Sequence, residues 1–105
     1  MAVLHINKDN FDELVLKNEK VVLLDFWAPW CGPCRMVSPL IDQIAEERDD
    51  FAVGKINVDE EPELAQRYGV MSIPTLAVVK GGVVVRQEAG ARPKAQIVAM
   101  VEAYL

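Results

Sequence analysis

The sequence predicts an α/β domain: a central mixed β-sheet of about five strands, flanked by four helices on both faces. Three observations lead there. The chain has 105 residues, enough for one hydrophobic core with no room for a second. Up to Val58 strand-like and helix-like apolar patterns alternate, which implies parallel strands joined by right-handed crossovers. After Thr75 two strand-like runs are separated only by Gly81-Gly82, which reads as a tight antiparallel hairpin.

The elements follow in order. Val3–Ile6 is a short strand. Asn7 or Asp9 can cap the helix after it, whose apolar face is Phe11, Leu14 and Val15 at i, i+3 and i+4. Val21–Trp27 is apolar on both faces, so it is a central strand covered on both sides. A helix from about Cys34 to Arg48 carries the stripe Met36, Val37, Leu40, Ile41, Ile44 and Ala45. Pro39 lies inside it, removes one backbone bond and predicts a bend. Phe51–Val58 is a second central strand, interrupted by Lys55. That lysine either snorkels to an edge or pairs with a carboxylate. Asp59 can cap a short helix with Pro62 early in it, continuing through Leu64 to Tyr68 and ended by Gly69. Pro74 opens the strand Thr75–Lys80, where a missing donor is tolerated. Val83–Glu88 is its partner. Pro93 starts a last helix with Ile97, Val98, Val101, Tyr104 and Leu105 on its apolar face.

The two cysteines, Cys31 and Cys34, sit where the first central strand hands over to a helix. The first turn of a helix offers unpaired N–H groups and the positive end of the dipole, and both favour a thiolate. Residues three apart in such a turn have Cα atoms on the order of 5 Å apart, so the pair can close a disulfide with little backbone movement. Cys31 lies nearer the free amides and solvent, and Cys34 one turn in. The reading is that Cys31 attacks and Cys34 resolves. Asp25 is a carboxylate inside an apolar strand. Either it meets water near the strand end, or it is buried with a raised proton affinity that suits proton transfer near neutral pH.

Composition excludes other classes. The net charge of −5, from 11 basic and 16 acidic residues, argues against nucleic acid and anionic lipid as partners. No basic segment followed by an apolar stretch opens the sequence, and no apolar run reaches spanning length, so the expected location is cytoplasmic. There, two cysteines are expected to be redox-active. Structural zinc wants four ligands, and His5, the sole histidine, reads as a strand surface residue; no metal is expected. A four-residue loop would also make a poor structural staple.

A bare C-x-x-C is shared with zinc and haem sites. Here Trp30-Cys31-Gly32-Pro33-Cys34 is preceded by Asp25-Phe26-Trp27 and followed by Ile73-Pro74-Thr75. With those three segments the chain resembles the thioredoxin family, in its bacterial-type form, from about Val3 to the C-terminus. The resemblance implies the thioredoxin fold over residues 1–105 as one domain. It implies reduction of protein disulfides through a Cys31–Cys34 dithiol/disulfide cycle. Asp25 would lie under Cys34 and relay its proton, with Lys55 as its partner. The bond before Pro74 would be cis and face the sulfurs. Ile73 would offer backbone groups to an extended substrate segment. Trp30, Gly32, Pro33 and Gly90 would complete the substrate surface, although Gly90 also reads as a plain turn glycine, and Trp27 as core packing. No cofactor would be bound, as no dinucleotide or phosphate-binding glycine motif is present. Electrons would come from NADPH through a flavin-containing thioredoxin reductase, or from a ferredoxin-dependent counterpart. The other partners would be disulfide-containing proteins, and the chain a monomer. Two departures from the commoner pattern are the Gly81-Gly82 turn and Val79 in place of an aromatic. Three rival readings remain. A glutaredoxin-like enzyme would usually carry Pro-Tyr between the cysteines. A secreted oxidase or isomerase would want a signal peptide and often His before the second cysteine. A binding module would clamp a partner without redox turnover.

Overall fold

In the computed structural model, which describes residues 2–105, five strands form one sheet. They are β1 (Leu4–His5), β2 (Val22–Trp27), β3 (Ala52–Asn57), β4 (Thr75–Lys80) and β5 (Val83–Ala89), in the spatial order β1-β3-β2-β4-β5. β3 pairs in parallel with both β1 and β2, and β4 pairs antiparallel with both β2 and β5. The sheet is therefore mixed, with β2 in the middle. Three α-helices accompany it: α1 (Gly32–Glu47), α2 (Pro62–Arg67) and α3 (Lys94–Glu102).

Side chains alternate along a strand, and the alternation divides the core in two. Leu23 of β2, Val53 of β3 and Leu76 and Val78 of β4 pack with Val37, Ile41 and Ile44 of α1 and Ile97, Met100 and Val101 of α3. Val22, Leu24 and Phe26 of β2 pack on the opposite face with Phe11, Val15 and Leu64. The rings of Phe11 and Phe26 meet Tyr68 there at 5.9 and 5.3 Å between centroids.

Several elements differ from expectation. The helix after β1 is a short π-helical turn, Asp12–Leu16, closed by the Lys17 N–H on the Asp12 carbonyl. The Asn18 side chain donates to the Leu14 carbonyl at 2.9 Å, which ends the turn instead of extending it. Neither capping candidate caps it: Phe11 holds that position without a side-chain bond, and the Asn7 Oδ1 accepts from the N–H groups of Asp9 and Asn10 in the turn before it. α1 begins at Gly32, two residues earlier than expected, because Cys31 itself takes the cap position. It continues through Pro39 as one helix. Met36 is exposed, on the outer flank of the buried stripe. Asp59 does not cap α2. Glu61 holds that position, and the Asp59 N–H is taken by the Asn57 side chain. Leu105 is exposed because α3 stops at Glu102, and Met100 supplies the buried contact instead. The hairpin turn is as expected: Lys80 pairs with Val83, and Gly81 and Gly82 have φ of 59° and 78°. Two consecutive positive values are what a two-residue hairpin turn of matching twist requires. No helix among the described residues is long and apolar enough to cross a membrane.

Candidate active site

Where β2 leaves the sheet the chain turns, and the Cys31 N–H closes the turn on the Ala28 carbonyl at 3.2 Å. Cys31 has extended backbone angles and caps α1: its sulfur accepts the Cys34 N–H at 3.2 Å. A sulfur held in the cap position feels the unfilled amides and the dipole of the first turn, which lowers the free energy of a thiolate. Cys31 and Cys34 are joined as a disulfide with Cα atoms 5.3 Å apart. The expected contrast in exposure is absent in this oxidised form, since Cys31 is 4 % and Cys34 3 % exposed. What differs is their surroundings. Cys31 Sγ lies 3.7 Å from the Ile73 carbonyl oxygen, whereas Cys34 is one turn into the helix.

Ile73 brings a second chain segment to the sulfurs. The Ile73–Pro74 peptide is cis, as the resemblance implied. The Pro74 carbonyl accepts the Gly90 N–H at 2.8 Å, tying this segment to the end of β5. Gly90 has φ of 101° and open space where a Cβ would stand, so backbone conformation and not crowding calls for glycine. Gly32 and Pro33 are exposed on the first turn of α1. Trp30 is 66 % exposed, and its indole N–H donates to the Asp59 carboxylate at 2.9 Å. Beside Trp30 opens an apolar groove of about 330 Å³, lined also by Val58, Val70, Met71 and Ile73. Trp27 is half-buried and packs against the cysteines.

Asp25 is 1 % exposed, which removes the alternative that it meets water at the strand end. It shares a sheet face with Leu23, the face covered by α1. Burial pushes its carboxyl up from the usual range to about 7; the Lys55 charge opposes that shift and the Asp42 charge adds to it. One carboxyl oxygen, Oδ1, has no hydrogen-bond partner. Lys55 stands directly across from Asp25 in the β2–β3 register. The expected pair is nevertheless not made. The Lys55 ammonium donates to Ser38 Oγ at 2.7 Å and pairs with Asp42 Oδ1 at 2.8 Å, both on α1. A lysine stem is long enough to carry the charge past its register neighbour to the helix above.

Ser38, Asp42, Asp59 and Met71 are site residues that the sequence reading passed over. A signal for the first two was present: Cys34, Ser38 and Asp42 recur every four residues, a polar line along the edge of the apolar stripe of α1. No group of side chains able to hold a metal ion occurs among the described residues.

A family model described as thioredoxin matches residues 2–103. The chain is 50 % identical over 101 residues to the chloroplastic M-type thioredoxin of Chlamydomonas reinhardtii, covering 95 % of this chain and 72 % of that one. It is 50 % identical over 93 residues to a thioredoxin of Streptomyces clavuligerus, covering 89 % and 87 % of the two chains. It is 47 % identical over 105 residues to a thioredoxin of Synechocystis sp., covering 99 % and 98 %.

Proposed function

We propose, since this chain belongs to the thioredoxin family, a division of labour within its redox pair. The activity itself is dithiol–disulfide exchange, run on the cysteine pair without a bound cofactor. In the proposed cycle the Cys31 thiolate attacks one sulfur of a target disulfide, and the other target sulfur leaves as a thiolate. Cys34 gives its proton to Asp25 and attacks the Cys31 sulfur. The second target sulfur leaves and takes up a proton, so two electrons have passed to the target and the Cys31–Cys34 disulfide remains. Supporting these roles is the position of Cys31, capping α1 with its sulfur against the Ile73 carbonyl. An extended target segment would lie along Ile73 and Pro74 by backbone pairing, flanked by Trp30, Gly32, Pro33 and Gly90.

The reduced pair is regenerated, in this reading, by a thioredoxin reductase drawing on NADPH. The chain works as a cytoplasmic monomer, one domain over residues 1–105, and its targets are proteins with accessible disulfides. The test is reduction of a model protein disulfide with NADPH and a reductase as electron source. Cys34→Ser should trap a mixed disulfide with the target and Cys31→Ser should not. In the reduced protein Cys31 should alkylate much faster than Cys34 near neutral pH. Equal alkylation rates would overturn the assignment, and a mixed disulfide held by Cys34 would reverse the roles.

A further inference from the structure

Among the described residues the Lys55 ammonium is the cation whose charge bears on Asp25, and its position is fixed from outside the pair. Ser38 and Asp42 sit one turn apart on α1 and take the ammonium from the same side, at 2.7 and 2.8 Å. Asp25 keeps an oxygen with no partner although Lys55 is its register neighbour. An unpartnered buried oxygen beside a cation that bonds elsewhere is costly unless the competing bonds outweigh it. The other elements packed on this face bring apolar side chains: Leu76 lies opposite Asp25 on β4, and α3 contributes Ile97, Met100 and Val101. At its outer end Lys55 borders an open cavity of about 340 Å³ with Asp42, Glu46 and His5.

We propose that Ser38 and Asp42 are positioning residues for the exchange reaction: by clamping the Lys55 ammonium on α1 they keep it off Asp25, and so set the pH range over which Asp25 takes and gives a proton. The catalytic consequence rests on the relay role given to Asp25 above. The clamp itself does not, because the proton affinity of Asp25 can be read without turnover. Loosening the clamp frees the ammonium to approach the open oxygen, and a cation that close favours the carboxylate. The relay carboxyl would then fill with protons only at lower pH, and resolution by Cys34 near neutral pH would be retimed accordingly.

The experiment follows the Asp25 carboxyl carbon by NMR through a pH titration. It uses the full chain as Ser38→Ala, Asp42→Asn and the double variant, each with Lys55 present and with Lys55→Met. With Lys55 present, the double variant should lower the Asp25 midpoint by about one pH unit, the low end for a cation brought alongside a carboxylate. In the Lys55→Met background Ser38→Ala should change nothing, and Asp42→Asn should leave only the smaller effect of removing its own charge. Equal shifts with and without Lys55 would overturn the clamp. Should the double variant fail to fold, Ser38→Ala alone decides, since it removes no charge and suits a helix. The pH profile of disulfide reduction, measured on the same variants, should move with the titration. A titration that moves while the profile stays put leaves the clamp standing and takes Asp25 out of the relay.

Discussion

Folded, Asp25 holds its proton up to about pH 7; in an unfolded chain a carboxyl of its kind releases it near pH 3.9. Between those values the unfolded state ionises and the folded state does not, so stability falls as pH rises and levels off above about 7. A difference of about three units corresponds to roughly 4 kcal/mol at most. Asp25→Asn should therefore match the parent below pH 4 and exceed it in urea midpoint at pH 8, with slower turnover. A variant less stable than the parent at pH 8 would mean that the carboxylate is satisfied in the fold. The strand that holds Asp25 was legible in the sequence, but its burial followed only from the family resemblance, because an acidic residue near the end of an apolar strand can equally meet water. The position of its lysine was not legible. Strand register fixes where the Cα of Lys55 stands, but four methylenes let the ammonium choose among carboxylates within reach, and Asp42 belongs to a different element.

At the scale of the element, the start of α1 and the edge of the sheet carry separate expectations. Pro33 contributes neither a charge nor a backbone N–H beside Cys31, so the thiolate relies on the helix amides and dipole. Pro33→His adds a donor and a cation there. It should lower the Cys31 pKa and make the pair more oxidising, by about 30 mV for each 1.4 kcal/mol gained. Equilibration of both proteins against a glutathione buffer measures it, and an unchanged potential would remove the dipeptide from the control of redox poise. On β3 a Cβ at Gly54 would stand 2.8 Å from Ile6 Cγ1 and 3.3 Å from Leu24 Cδ2. Ile6 is also held by its N–H on the Lys55 carbonyl at 2.9 Å. Gly54→Ala should cost about 1–3 kcal/mol by overpacking, and faster amide exchange at Ile6 should show that β1, only two residues long, gives way first. Strands were readable to within a residue or two because apolar runs bounded by turns have only one way to be buried. The π-helical turn was not, because its widened ring leaves the same residues facing the core as an α-turn would.

Taken whole, the molecule is two cores sharing one sheet, with the redox pair just past the end of its central strand, β2. Fold class was legible from the change of pattern after Val58, but the meeting of Cys31 with Ile73, 42 residues apart, followed only from the family resemblance, because it depends on which strand β4 joins. β4 runs antiparallel beside β2, so the first residue of one, Thr75, pairs with Phe26 near the last of the other. In refolding experiments reductase activity should accordingly return together with the near-UV signal of packed aromatics and never ahead of it. The same arrangement sets an order of events during synthesis on the ribosome. A nascent chain that has delivered only β1 through α2 owns two thiols but no wall for a client to lie against. It is an undiscriminating reagent until the second half of the sheet arrives, and specificity is conferred last, by the segment that carries no cysteine.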